Sequence, residues 1–261
     1  MKKMRSKKSQ ITIFIIIAIV IIAVVLLFFR VKLKTTIQEF FITSYPDMMF
    51  SDCINSKIKE AVALVSKRGG SIAPSNAFMF KDEKIEYLCY TNQYYKTCVM
   101  QQPLLKQHIE RELFDYIEKD AKACLSKIKS DLESKGYAVS SEKQALVLEI
   151  LPKNIKLVSS GISIIKADKG ERYDKLVAVH RTKIYELIML ATSILNFEAR
   201  YGDSDITIYM LYYPNIKVEK YKQSEGSKIY ILTDTNSKDK FTFATRSLSW
   251  PPGYGFNEVF G

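Results

Sequence analysis

The sequence predicts an α+β protein, with an N-terminal transmembrane helix and a helical stalk followed by an ectodomain of amphipathic helices packed on a mainly antiparallel sheet. Three observations predict this class. Residues 11–29 form an uncharged apolar run, residues 35–135 contain two segments with helical spacing of apolar side chains, and the chain after Tyr137 is dominated by short alternating segments separated by turns.

The apolar run at residues 11–29 predicts a membrane-spanning helix. It holds eighteen apolar side chains and Thr12, with no charge, glycine or proline. At about 1.5 Å per residue it spans about 30 Å, the thickness of a hydrocarbon core. Basic clusters flank it on both sides, which does not suit a buried helix of a soluble protein. We therefore expect the lipid bilayer to be the partner of this segment.

Basic residues around the span predict its orientation. Five Lys or Arg side chains lie in residues 1–10 and three follow in residues 30–34. This bias predicts a cytoplasmic segment at residues 1–10 and an extracytoplasmic C-terminal domain on a single-pass protein of the cell membrane.

The net charge of +11 belongs mostly to this N-terminal region. Residues 1–34 contain eight basic and no acidic side chains, so the remaining chain has 31 basic against 28 acidic residues, a net charge of +3. No basic face remains for a phosphate backbone, and we expect no nucleic-acid partner.

Two helices are predicted before residue 136. The stalk at residues 30–68 is helical from Thr35, is interrupted at Pro46 and stops at Gly69. Leu104 to Lys135 forms a second amphipathic helix, whose apolar stripe is expected to cover its own domain, with a role in binding a partner helix as the alternative.

After Tyr137 the pattern predicts strands around a third helix, at Thr182 to Arg200. Pro152, Ser159–Gly161 and Asp168–Gly170 are predicted turns, and we expect one domain over residues 69–248. The predicted strands are Gln144–Leu151, Ile155–Val158, Ile162–Ala167, Leu176–Val179, Ile206–Tyr213, Ile216–Tyr221, Lys228–Thr233 and Lys240–Thr245.

The four cysteines all lie on the predicted outer side, where disulfides persist. Cys53 and Cys124 each occupy the apolar stripe of a helix, and Cys89 and Cys98 flank a short aromatic segment. The favoured pairs are therefore Cys53 with Cys124 and Cys89 with Cys98. Buried free thiols are the alternative, and a nucleophilic Cys89 with His108 as its base is a weaker one.

No motif predicts a catalytic, metal or cofactor site. The chain has no C-x-x-C spacing, and neither His108 nor His180 has a histidine partner at i+4. The nucleophile-elbow, zinc-protease, P-loop and dinucleotide-binding motifs are all missing from the sequence.

Two aromatic segments are candidate partner-binding sites. The first contains Tyr87, Tyr90, Tyr94 and Tyr95, in and directly before the expected short disulfide loop, and these rings either bind a partner or complete the core. The second is the aromatic Pro/Gly tail at residues 249–261. Its Trp250 precedes two prolines, and the tail either docks on a surface or frays.

The N-terminal segment from Lys7 to Phe14 (KKSQITIF) resembles the processing region of archaeal class III signal peptides, which belong to pilin-like and archaellin-like subunits. The resemblance implies that Ser9 is the last residue removed and that Gln10 begins the mature hydrophobic helix. Residues 87–92, residues 101–103 and the Cys53/Cys124 pair are similar to a group of uncharacterised archaeal single-span membrane proteins. That group implies no particular activity.

These features favour a non-enzymatic, membrane-anchored cell-surface protein that acts through contacts with other membrane or surface proteins, with copies of itself among the candidate partners. One alternative is a pilin-like subunit of an archaeal surface filament, in which the Gln10 helix packs against its copies. Another is an anchored enzyme or ligand-binding ectodomain, for which a deep pocket containing His108, His180 or carboxylates is the expected sign.

Overall fold

The computed structural model describes Ile21 and residues 44–166 and 170–249. The chain divides into two compact units, residues 1–44 and 45–261. The predicted processing site at Ser9 and Gln10, the span at residues 11–29 apart from Ile21, the first part of the stalk, and Trp250 with its tail lie outside the described residues. None of the helices in the described residues combines the length and the apolar character that a membrane span requires.

The second unit is an α+β domain with two sheets, which agrees with the predicted class. Its described helices are α1 (Tyr45–Lys67), α2 (Leu105–Ser134), α3 (Ile184–Tyr201) and α4 (Ile206–Tyr212). Its described strands are β1 (Ala77–Phe80), β2 (Glu83–Tyr90), β3 (Val99–Met100), β4 (Ala138–Leu151), β5 (Asn154–Lys166), β6 (Glu171–Arg181), β7 (Ile216–Lys222), β8 (Ser227–Asp234) and β9 (Lys240–Arg246).

The larger sheet has the strand order β1-β2-β9-β8-β7, with β3 paired to β2. Its pairs are antiparallel except for β2 with β9, which run parallel. A parallel pair needs a long connection between its strands. Here the chain between β2 and β9 contains α2, the second sheet β4-β5-β6, and helices α3 and α4. The strands of the second sheet therefore lie in the chain between strands of the larger sheet.

Helix α1 is part of this domain's core. Pro46 is its second residue, where proline fits because the first amides of a helix have no intrahelical partner. Phe50, Ile54 and Ile58 are buried on one stripe that continues to Val65. Gly70 donates its N–H to the Val65 carbonyl and closes the helix. The part of the stalk from Tyr45 onwards is therefore a packed helix of the domain.

The predicted turn at Ser159–Gly161 is wrong, because β5 runs through it as a single strand. Gly161 lies at a bulge where the pairing register shifts on both sides of β5. A bulge retains strand direction while it absorbs an extra residue. Gly161 does coincide with an irregularity in the sheet, but pairing with β4 on one side and β6 on the other keeps both halves of β5 in one strand.

Replacing Gly161 with alanine is expected to lower the free energy of unfolding by about 2 kcal/mol. The glycine has φ +72°, and an added Cβ would lie 2.5 Å from the Glu142 carbonyl oxygen. Gly170 is a matched control, since it has φ +62° but no atom within 4 Å of an added Cβ. Chemical denaturation of G161A and G170A measures the difference, and equal losses would contradict the steric explanation.

Candidate functional site

Both favoured disulfides are present in the structure. Cys53–Cys124 joins α1 to α2 with a Cα–Cα distance of 5.9 Å, and Cys89–Cys98 joins β2 to the segment before β3 at 5.3 Å. None of the four cysteines is free. Cys89 is fully buried and carries no thiol, so the nucleophilic Cys89 alternative is wrong. No group of described residues could hold a metal ion.

The aromatic segment predicted as a binding site divides into two parts. Tyr87 is buried, and its hydroxyl forms a hydrogen bond with Ser227 Oγ at 2.6 Å. The centroid of its ring lies 5.0 Å from that of Tyr90. Tyr94 and Tyr95 are exposed at 68% and 79% in the disulfide loop. The structure therefore places two of these rings in packing positions and two at the surface.

Ser71 and His108 form a pair with the spacing of a nucleophile and its base, Ser71 Oγ lying 2.8 Å from His108 Nε2. Burial lowers the pKa of His108, against the opposing effect of the Glu112 carboxylate. Ser71 is only 4% exposed, and neither residue lines the cleft described below. The pair fixes the loop after α1 to the N-terminal part of α2, and Glu112 adds a bond to that loop by accepting the Ile72 N–H.

A buried charge cluster lies where α3 ends. Lys228 Nζ donates to both carboxylate oxygens of Glu198, at 3.0 and 2.9 Å, and lies 3.2 Å from Asp203 Oδ1. Lys220 Nζ donates to the same Asp203 oxygen at 3.0 Å, and Tyr230 donates to Glu198. These groups satisfy one another in the interior, so the cluster is a connection between α3 and strands β7 and β8.

Burial raises the pKa of Glu198, although Lys228 and Tyr230 oppose the shift. For Asp203 burial also acts to raise the pKa, but the ammonium groups of Lys228 and Lys220 hold it below its ordinary value. Asp203, which contacts the ammonium groups of both Lys220 and Lys228, is therefore ionised in the folded protein.

The surface of α3 and α4 is the strongest candidate for a functional site. Large apolar side chains are exposed along one stripe of α3 and over α4, including Leu211 at 77% and Tyr212 at 74%. We call this set the aromatic face. Its members are Met189, Phe197, Tyr201, Ile208, Leu211, Tyr212 and Tyr213.

Ring contacts hold the two helices of this face together. Phe197 packs edge-on against Tyr209 of α4 with 6.4 Å between centroids, and against Tyr201 one turn along α3 at 5.7 Å. Ser193 on α3 lies within hydrogen-bond distance of the Tyr209 hydroxyl. Because Tyr209 is buried in this contact, Leu211, on the opposite side of α4, points outward.

A cleft of about 450 Å³ opens beside the aromatic face, between α3, the end of α4 and the end of β8. Its polar lining includes Lys183, Glu186, Ser193 and Asp234. Neither His108 nor His180 lines it. His180 instead lies against α1, with Nδ1 3.2 Å from Asn55 Oδ1.

Sequence reasoning missed this face because it predicted a strand at Ile206–Tyr213. That prediction is wrong: residues Ile206–Tyr212 are α4. The run of β-branched and aromatic side chains favours a strand, but tertiary packing overrides such a preference. The available signal was Asp205, whose carboxylate caps the helix by accepting the Thr207 N–H at 2.9 Å.

Comparisons with known proteins add no relative: no family model, no curated protein and no solved structure matches this chain.

Proposed function

We propose that this chain is a non-enzymatic, membrane-anchored cell-surface protein whose extracytoplasmic domain binds another protein through the aromatic face. The observation that carries the proposal is the exposure of seven large apolar side chains, six on two consecutive helices and Tyr213 directly after them, in one well-packed domain. Monomeric proteins rarely leave large contiguous apolar patches in water, and such patches mark sites of interaction.

The composition of the face supports a protein partner. Five of its seven members are Tyr, Phe or Met, the residue types enriched at protein interfaces. Two rings of the face, Phe197 and Tyr201, already pack against each other, which lowers the entropy lost on binding.

The anchoring part of the proposal rests on the uncharged run at residues 11–29 and its basic flanks. Two disulfides in the domain support an oxidising location, where such bonds persist. Together these features support a domain held outside the membrane.

Labelling of single introduced cysteines tests location and binding together. The L211C variant reports on the aromatic face, and K119C on the exposed surface of α2 is the control. With a membrane-impermeant maleimide on intact cells, we expect K119C to react fully and L211C to react at least about tenfold more slowly. In the purified full-length chain both are expected to react at similar rates, because the partner has been removed.

The outcomes separate the parts of the proposal. An unreactive K119C on intact cells contradicts an extracytoplasmic domain. A reactive L211C on intact cells contradicts a partner on the aromatic face. Protection of L211C that returns as the purified chain is concentrated identifies the partner as a second copy, as the pilin-like alternative expects.

A further inference from the structure

We infer that the cleft beside the aromatic face is a binding site for a cationic side chain, a lysine ammonium or an arginine guanidinium, supplied by the partner. The inference rests on the proposed function and names the chemistry that this partner presents.

The cleft has the size of a ligand site. Its volume of about 450 Å³ lies in the usual range of 300 to 1,000 Å³ for such sites. Tyr185 and Met189 contribute from α3, and Tyr212 and Tyr213 from the end of α4. Three of these four side chains carry aromatic rings, whose faces attract cations.

One residue that lines the cleft, Glu186, has a carboxylate oxygen without a hydrogen-bond donor. Glu186 Oε1 accepts from Lys183 Nζ at 3.0 Å, whereas Glu186 Oε2 is buried without a partner. A buried acceptor without a donor is unfavourable by about 1 to 3 kcal/mol. An ammonium or guanidinium group would supply the missing donor and the opposite charge.

The charge of the lining selects a cation. Lys183 opposes two carboxylates, Glu186 and Asp234, which leaves one net negative charge. Asp234 Oδ1 is already occupied, because it accepts the backbone N–H groups of Asn236 and Ser237 at 3.0 and 2.7 Å. Glu186 is the carboxylate of the lining that has a buried oxygen without a donor.

The position of the cleft explains why its ligand would come from a protein. Met189, Tyr212 and Tyr213 belong both to the cleft lining and to the aromatic face. A partner that covers the face would bring a neighbouring lysine or arginine directly over the cleft. Apolar contact around a buried charge pair also excludes water and strengthens the attraction.

Blocked single amino acids are the probes for this site. We would titrate the full-length chain in detergent with N-acetyl-lysine methylamide and N-acetyl-arginine methylamide by ligand-observed NMR. N-acetyl-norleucine methylamide has a similar aliphatic chain without the charge and is the neutral comparison. The charged probes are expected to bind at least about tenfold more tightly than norleucine, as the free energy of one hydrogen bond to a charged group implies.

Two variants assign the effect to Glu186. E186Q keeps the shape of the side chain and removes its charge, and is expected to weaken binding of the charged probes at least about tenfold. D120N makes the same change of charge on an exposed position of α2 and is expected to leave binding unchanged. Y212L is expected to weaken binding of the charged probes more than binding of the norleucine probe, because it removes an aromatic ring and keeps an apolar side chain.

The inference would be overturned if the charged and neutral probes bound with equal affinity. It would also be overturned if E186Q and the unmodified chain bound the charged probes with equal affinity. If that happens while L211C stays protected on cells, the partner covers the face without a cation in the cleft, and the proposed function stands. If the charged probes bind while L211C reacts freely on cells, the cleft is a cation site, and the proposal that a protein covers the aromatic face is contradicted.

Discussion

Replacing Lys228 with methionine is expected to lower the free energy of unfolding by about 3 to 5 kcal/mol, since it removes one partner of a buried ion pair. Glu198 is fully buried, and its carboxylate accepts from Lys228 through both oxygens. Without this ammonium group, Glu198 retains the Tyr230 hydroxyl as a neutral donor but no cation. Equilibrium denaturation of K228M in guanidinium chloride measures the loss.

The same variant is expected to depend on pH in a defined direction. Burial already raises the pKa of Glu198, and loss of Lys228 removes the largest effect that opposes this shift. A carboxyl group whose pKa is raised by folding favours the folded state below its ordinary pKa, and this contribution is lost as pH rises through the folded value. The deficit of K228M should therefore grow from acidic to neutral pH.

A matched control is available in the same cluster. Lys222 Nζ lies 3.6 Å from Asp203 Oδ2, but the lysine side chain is 41% exposed. K222M is therefore expected to lower the free energy of unfolding by less than about 1 kcal/mol. The double variant E198Q/K228M should recover part of the loss, because it leaves no unpaired charge in the interior. Similar small losses in K228M and K222M would contradict a central role for the buried pair.

Removing the disulfide between α1 and α2 is the second large effect we expect. Cys53 and Cys124 are separated by 71 residues, and loop-closure entropy gives this crosslink a stabilisation of about 4 kcal/mol. The Cys89–Cys98 crosslink spans only 9 residues, for which the same relation gives about 3 kcal/mol. The variant C53A/C124A should therefore unfold at a lower denaturant concentration than C89A/C98A.

The measurement is denaturant unfolding of both double variants and of the unmodified chain, each without reductant. The two variants serve as controls for one another, because both remove two sulfur atoms and the loops that they open differ in length. A larger loss in C89A/C98A would contradict the entropic order. Alkylatable thiols in the unreduced, unmodified chain would contradict both crosslinks.

Features predicted well from the sequence have a local or pairwise origin. The second amphipathic helix appears as α2, with Leu105, Ile109 and Leu113 buried as the stripe requires. The third predicted helix is α3, and it ends at Gly202 in a left-handed conformation that glycine adopts easily. Helical spacing of apolar residues and capping residues are encoded within a few turns, so they can be read without the rest of the chain.

The candidate site could not be predicted in the same way. Whether Leu211 is exposed depends on which side of α4 Tyr209 uses to contact Phe197, and nothing near residue 206 encodes that contact. The donorless oxygen of Glu186 also depends on surroundings from α3, α4 and β8. The sequence pointed instead to the tyrosines in and directly before the disulfide loop, of which Tyr87 and Tyr90 are packing residues.

By itself the sequence determined the α+β class, the uncharged apolar run at residues 11–29, the amphipathic helices and the pairing of the cysteines. Each of these depends on composition or periodicity within one segment, or on a small number of possible pairs. Only the tertiary structure decided the parallel pairing of β2 with β9, the burial of Lys228 beside Glu198, and the exposure of the aromatic face. The physical reason is that packing selects which side of an element is covered, and the covering groups lie far away in the chain.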